Sequence, residues 1–481
     1  MVRTRFAPSP TGYLHIGGLR TALYAYLIAK QRGGTFVLRI EDTDRERLVE
    51  GAVGMIVKTL DETGLVPDEG PGIGGPYGPY VQSERRAIYK EQAEALIKRG
   101  GAYRCFCTKD RLEALRAECE ERGETFVYDR HCRDLPPEES QARADAGEPF
   151  VVRQNVPETG TAGFDDAIFG TVTVDNATLD DGVLVKSDGL PTYNFANVVD
   201  DHLMAITHVV RGSEYLSSAP KYNLIYEAMG WEVPVYIHVP PVMRDTTHKL
   251  SKREGDASYD DFIRKGYLKE AVLNYIALLG WSPGTTREMF TLEELVAAFD
   301  IAGINKAPAI FDIDKLTWLN AQYIRNMPPE EFNTHARGYY QEALPPGEYD
   351  EGLLCRMLQP RTEKFADIPP QLDFVKALPD YPIEMFVHKK MKTDEAVART
   401  VLHQALPALA ALTEWDETSV HDALFALVAK LGMKNGQVLF PVRVALCGKL
   451  VTPGGAVEAA LLLGREESLT RLRTALGKLG D

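Results

Sequence analysis

The chain is short of everything that would place it in a bilayer or in a disulfide-stapled scaffold. No apolar run approaches the roughly 18 residues that a spanning helix needs, and the start Met1-Val2-Arg3-Thr4-Arg5 lacks the apolar stretch of a secretory signal. A cytoplasmic protein with no membrane partner is therefore expected. Cysteine is scarce, six in 481 residues, which excludes a disulfide framework and leaves free thiols or a metal site. Internal repeats and low-complexity tails are missing as well. Positive charge is in deficit, with 54 Lys and Arg against 69 Asp and Glu and a net charge of -15. That balance excludes indiscriminate binding to polyanions. It does not exclude a nucleic acid, because binding needs only a local basic stripe, so any such partner should be selective and salt-sensitive.

What is present describes an ordinary globular chain, 44% hydrophobic and 26% charged. Its length suggests about three domains at roughly 150 residues each. Val2 to Phe6 reads as a strand, Gly18 to Lys30 as a helix with Leu19, Ala22, Leu23, Tyr26 and Leu27 on one buried face, and Thr35 to Ile40 as the next strand. This β-loop-α-β opening belongs to parallel, doubly wound α/β sheets, whose ligands bind beyond the carboxyl ends of the strands. Glu69 to Tyr80 is glycine-rich, but its prolines remove backbone donors and it lacks the Gly-Lys-Ser/Thr ending of a P-loop, so it reads as a surface loop. Arg85 to Arg99 reads as a helix. Tyr103 to Asp188 changes texture, with short strands at 150–154, 170–174 and 182–186 among charged helices, as in an α+β insertion; the first domain resumes at Pro191 to Val210. Ala271 to Leu279 reads as a buried helix within a helical connector. Beyond Pro328 strand signals nearly vanish, and Arg399 to Leu412, Val420 to Leu431 and Ala456 to Leu463 carry helical patterning, which predicts an all-α end of one or two bundles.

Two signatures more than two hundred residues apart carry the chemistry. The first is Pro8-Ser9-Pro10-Thr11-Gly12-Tyr13-Leu14-His15-Ile16-Gly17-Gly18. Its prolines stiffen a turn, its glycines let a ligand approach the backbone, and the helix that follows offers unpaired N–H groups to an anion. His15 stands at the helix entrance, where it is either a structural cap or a donor to phosphate oxygens. The second is Lys249-Leu250-Ser251-Lys252-Arg253, a cationic loop suited to neutralising a departing pyrophosphate. Together they outline an ATP site that activates a carboxylate.

His15-Ile16-Gly17-Gly18 resembles the HIGH signature, and Lys249-Leu250-Ser251-Lys252-Arg253 the KMSKS signature, of class I aminoacyl-tRNA synthetases. Arg5 to Gly12, Ile40-Glu41-Asp42-Thr43-Asp44, Pro191-Thr192-Tyr193, Asn197 to His202 and Gly266-Tyr267-Leu268 narrow the resemblance to bacterial-type glutamyl-tRNA synthetases. Gly18 replaces the last His of HIGH, and Leu250 the Met of KMSKS. The family implies a Rossmann-like catalytic domain at 1–102 and 189–245, an acceptor-end-binding insertion at 103–188, a stem-contact connector at 246–325 and an all-helical anticodon-binding region at 326–481.

The same resemblance implies the site. His15, Lys249 and Lys252 are the expected catalytic residues; Ser9, His15, Gly17, Gly18, Lys249, Leu250 and Lys252 should hold ATP, with Mg2+ on the nucleotide. Arg5 and Arg211 should hold the two carboxylates of glutamate and Glu41 its ammonium, with Ala7, Ser9, Tyr193 and Asn197 completing the pocket. Two guanidinium forks and one carboxylate match glutamate in charge, and glutamine would leave an arginine facing an amide. The implied reaction forms glutamyl-adenylate and then transfers glutamate to the terminal ribose of tRNA(Glu), the first step waiting for bound tRNA. Whether tRNA(Gln) is also charged stays open. A monomer is expected. Cys105, Cys107, Tyr128 and Cys132 resemble a structural zinc site of family variants, with His131 as the alternative to Tyr128 and a small thiol core as the alternative to zinc. Gln359 and Arg361 lie where related enzymes inspect the anticodon. A small-molecule nucleotidyltransferase, the competing enzyme class, would lack the insertion, the second signature and the helical end.

Overall fold

A computed structural model of the chain describes residues 1–250 and 258–480. The chain divides into two compact units, Met1–Phe262 with Val272–Asp312, and Ile263–Ala271 with Ile313–Asp481. The stretch expected to be one connector is therefore shared between them.

Among its described residues the first unit contains eleven strands: β1 (Arg3–Phe6), β2 (Thr35–Leu38), β3 (Ala102–Cys105), β4 (Val151–Gln154), β5 (Thr161–Asp166), β6 (Gly170–Asp175), β7 (Val183–Val185), β8 (His208–Gly212), β9 (Val235–Val239), β10 (Val242–Met243) and β11 (Ala309–Ile310). The main sheet runs β2-β1-β8-β9-β5-β6, parallel throughout except for the β5–β6 hairpin. That hairpin corrects the sequence reading. Residues 170–174 were expected inside a separate insertion, yet β5 and β6 extend the central sheet, while β3, β4 and β7 form a small antiparallel sheet of their own. Parallel pairing of β5 to β9 is short, a single register pair of Asp166 with Tyr236, and such an edge leaves no local sequence signal.

Helix α1 (Ile16–Gln31) is buried almost all round, not on one face: Tyr24, Ala25, Ile28 and Ala29 join the expected residues, while Tyr26 is only half-buried. The reason is tertiary. Tyr24 donates to the carbonyls of Ala277 and Leu279 and packs on Phe299 at 4.9 Å, so the side of α1 away from the sheet is covered too. Full burial of each large apolar side chain here contributes about 1.5–3 kcal/mol.

The second unit is helical apart from turns. One core gathers Phe332, Tyr340, Leu354, Leu358 and Leu372, and a second gathers Leu402, Leu424, Val444 and Leu472. The sequence missed Asn435–Cys447, whose Pro441 argues against a helix interior, although that proline is buried and its helix is held by the surrounding core. The helix expected to stop at Leu463 runs from Ala456 to Leu479 across a kink at Gly464, whose φ of 73° an L residue rarely adopts.

Candidate active site

The turn before α1 is fastened by Glu41 N–H to the Pro8 carbonyl at 3.1 Å and Val49 N–H to the Pro10 carbonyl at 3.0 Å, and Gly12 has a φ of 117° that makes glycine the fitting residue. His15 is the N-cap: its Nδ1 accepts from Gly17 N–H at 3.0 Å. A neutral ring that accepts through Nδ1 carries its proton on Nε2. Capping and donating to phosphate are thus compatible roles of one residue, not alternatives.

The second signature meets the first. Lys249 bridges Met243, Leu250 N–H donates to the Val242 carbonyl at 3.2 Å, and beyond 251–257 Ser258 bridges His15 while Tyr259 N–H donates to the Leu14 carbonyl at 3.3 Å. A cavity of about 260 Å³ is lined by His15, Gly17, Gly18, Lys249 and Leu250, with Arg20 and Glu214 added. Lys252 lies outside the described residues, as does any contact it makes. Ser9 is exposed on the turn, its carbonyl accepting from Thr11 N–H at 2.9 Å, and it does not line this cavity. Arg20 was not anticipated; it reads in sequence as part of α1, but its guanidinium is buried and donates to the carbonyls of Leu279 and Pro240.

Around the carboxyl ends of β1, β2 and β8 lies a buried charge network. Arg39 bonds Asp201 Oδ1 at 2.7 Å and Glu41 Oε1 at 2.9 Å; Arg5 bonds the same Asp201 oxygen at 3.0 Å and the Val210 carbonyl at 3.0 Å; Arg85 bonds Asp200 at 2.7 Å. Burial would raise Asp201, but the charges and hydrogen bonds of Arg5 and Arg39 hold it below the ordinary carboxylate range. Burial dominates at Glu41 and raises it despite the charges of Arg39 and Arg5. Three arginines face three carboxylates here.

Arg211 is the charge left over. It is 4% exposed, walled by the rings of Tyr215, Tyr222 and Tyr236 at 4.8–5.2 Å, and neither Nη1 nor Nη2 has a hydrogen-bond partner. Such a buried, empty fork is costly unless a ligand fills it. Tyr193 stacks on Tyr215 at 5.0 Å, and Asn197 Nδ2 donates to the Tyr193 carbonyl at 2.6 Å, so Asn197 fixes the helix that carries Tyr193. Ala7 is half-buried just past β1. The sequence missed Arg39, Asp166 and His238. Arg39 had a faint signal, a charge ending an apolar strand.

At the end of β3, Cys105 and the nearby Cys107 and Cys132 bring their sulfurs within 4.8 Å of one another, with Cys107 and Cys132 at 3.6 Å. The Tyr128 hydroxyl lies 3.2 Å from the Cys105 sulfur and 3.4 Å from that of Cys107. Edges of a tetrahedral zinc site are about 3.5–3.8 Å, and the separations of 3.2–3.6 Å linking Cys105, Tyr128, Cys107 and Cys132 in turn come close to them. Tyr128 is buried and His131 exposed, which favours the phenol over the imidazole.

Gln359 donates both amide hydrogens, to the Ile324 and Met327 carbonyls at 2.9 and 2.8 Å, closing the end of the helix Ile313–Asn326, so its amide has no hydrogen left for a base. Arg361 is exposed.

Comparison with known proteins gives one answer along the whole chain. The family described as tRNA synthetases class I (E and Q), catalytic domain, matches residues 1–318, and an anticodon binding domain matches 314–476. The chain is 57% identical to a glutamate–tRNA ligase of Clostridium tetani over 99% of this chain and 98% of that one, and 58% identical to one of Clostridium botulinum with the same coverage. Among solved structures it is similar to a glutamate tRNA ligase from Elizabethkingia meningosepticum in complex with its amino acid, with a TM-score of 0.90, 37% identity and 99% of each chain covered.

Proposed function

The chain belongs to the glutamate–tRNA ligases among the class I tRNA synthetases, and from that premise we propose how its residues divide the work of joining glutamate to tRNA(Glu) at the expense of ATP. The observation that carries the proposal is the meeting of both signatures at one cavity, lined also by Gly212, whose chain neighbour Arg211 is a buried guanidinium with no protein partner for its terminal nitrogens.

Arg211 takes the side-chain carboxylate, because it is the deep fork and the reacting α-carboxylate must stay open to the phosphate. Arg5, with Nε and Nη1 already held by Asp201 and the Val210 carbonyl, has Nη2 for the α-carboxylate. Glu41 receives the ammonium, which offsets the burial that raises this carboxylate. Tyr193, Asn197, Ala7 and Ser9 shape the pocket. The α-carboxylate oxygen attacks the α-phosphorus of Mg-ATP, the bond to the bridging oxygen breaks, and pyrophosphate leaves with that electron pair. His15 Nε2–H and the N–H of Gly18 meet the phosphates, the Gly17 N–H being spent on the His15 cap, while Lys249, with Lys252, neutralises the leaving group. The terminal ribose hydroxyl of the tRNA then displaces AMP from the mixed anhydride. Arg361, not Gln359, faces the anticodon.

Lys249→Ala should lower tRNA-dependent pyrophosphate exchange by about 10²-fold or more at a nearly unchanged KM for glutamate. An unchanged exchange rate removes Lys249 from the phosphate work. Charging purified tRNA(Glu) and tRNA(Gln) side by side decides whether the second is also a substrate, and sedimentation tests the expected cytoplasmic monomer.

Cys105, Cys107, Cys132 and Tyr128 hold a structural zinc ion. Arg111, 3.6 Å from the Cys107 sulfur, and Arg153, 3.8 Å over the Tyr128 ring, balance the negative charge of such a ligand set. Metal analysis should find about one equivalent; about a tenth or less, without chelator, overturns it.

A further inference from the structure

Arg211 is held differently from the arginines of the neighbouring charge network. Arg5, Arg39 and Arg85 each bond a carboxylate. Arg211 instead donates Nε–H to Nε2 of His238 at 3.0 Å, and His238 turns Nδ1 to Asp166 Oδ2 at 2.6 Å. The same carboxylate accepts from the backbone N–H of His238 at 3.1 Å and from those of Ile168 and Phe169 at 2.9 and 2.8 Å. Arg211 and His238 are register partners on the parallel strands β8 and β9, and Asp166 ends β5 on the far side of β9. His238 and the Asp166 side chain are fully buried.

This geometry fixes the ring's state. A guanidinium can only donate, so Nε2 of His238 must accept, and the ring proton must sit on Nδ1, where Asp166 receives it. Burial acts in the same direction, lowering His238 more than Asp166 raises it. A carboxylate in this place would hold Arg211 as firmly but would cancel its charge. A neutral imidazole orients the fork and leaves the charge for the ligand.

We propose that His238, oriented by Asp166, is a positioning residue that presents Arg211 Nη1 and Nη2 as an uncancelled fork, and that this arrangement sets the preference for a carboxylate over an amide on the substrate side chain. The proposal rests on the reading that Arg211 receives the side-chain carboxylate. A loss of either partner lets the fork turn or draws it elsewhere, so the effect should fall on amino-acid binding and leave ATP untouched.

The test compares His238→Ala, His238→Gln, Asp166→Asn and Arg211→Ala in steady-state charging of tRNA, with KM for glutamate and for ATP measured separately, and with thermal melting as a control. His238→Ala should raise the glutamate KM by about 10- to 100-fold and lower the glutamate-over-glutamine preference by about tenfold or more, with the ATP KM changed less than about twofold. His238→Gln, whose carbonyl accepts from Arg211 while its amide donates to Asp166, should recover most of the loss. An unchanged glutamate KM in folded His238→Ala, or an equal rise in both KM values, overturns the proposal. Should His238→Ala fail to fold, Asp166→Asn decides by the same two criteria. Arg211→Ala separates the levels: if it leaves the glutamate KM unchanged, the assignment of Arg211 falls, whereas a large rise there with none in the His238 variants sinks the positioning role alone.

Discussion

In the sheet unit Arg5, Arg39, Glu41, Arg211 and His238 are buried in or just beyond the strands, and Asp201 is buried on the helix Tyr193–Leu203. In the helical unit the core around Leu402, Leu424, Val444 and Leu472 is apolar, and its buried Arg471 ends on the carbonyls of Phe374 and Leu446. Both interiors are close-packed, but they use polarity for different purposes. Arg471 ties chain segments together and leaves no fork open. The sheet unit keeps several ionised groups out of water at a cost of several kcal/mol each, and it keeps one of them, Arg211, without a partner for its terminal nitrogens. A fold retains such a group where a ligand completes it. Buried charge with an open valence marks the site more sharply than cavity size does, since the larger cavity of about 630 Å³ bordered by Arg86, Phe150 and Gly189 has no comparable fork.

The contrast can be broken from either side. The largest effect is expected for Asp201→Ala, which leaves Arg5 and Arg39 facing each other without their shared carboxylate: about 3–5 kcal/mol of stability lost in urea unfolding, together with glutamate binding. A loss under about 1 kcal/mol would mean that water enters the network and that it is not a dry site. Next comes Leu402→Ala in the helical core, at about 2–5 kcal/mol, with the glutamate KM unmoved; a raised KM would contradict a purely structural role for that core. Smallest is Gln359→Ala, about 1–2 kcal/mol from two lost hydrogen bonds at a helix end. Charging of anticodon-variant tRNAs should keep its wild-type ranking in that variant. A changed ranking without loss of stability would restore Gln359 as a reader of bases.

Much of this was legible in the sequence, for reasons that differ by residue. His15 and Gly12 act on neighbours in the chain, so their roles follow from local pattern: a cap accepts from the residue two positions on, and a turn needs its glycine in place. Arg5, Glu41 and Arg211 were legible through family resemblance together with the charge of the ligand. The helix-closing bonds of Gln359 were not legible, because a helix-closing amide and a base-reading amide look alike until the carbonyls of Ile324 and Met327 are seen beside it. The β5–β6 hairpin was placed in the wrong sheet because register with β9 rests on one pair, which no periodicity reports.

By itself, the sequence determined the class of chemistry, the order of elements and the capped helix that begins the site, since each depends on contacts within a turn or two of the chain. Tertiary structure alone decided that the two signatures line one cavity, and that Arg211 is aimed by His238, 27 residues on, and by Asp166, 72 residues before that histidine. The reason is physical: backbone capping is satisfied by near neighbours, whereas a buried charge must find partners wherever the fold brings them, and no local pattern records which ones it finds.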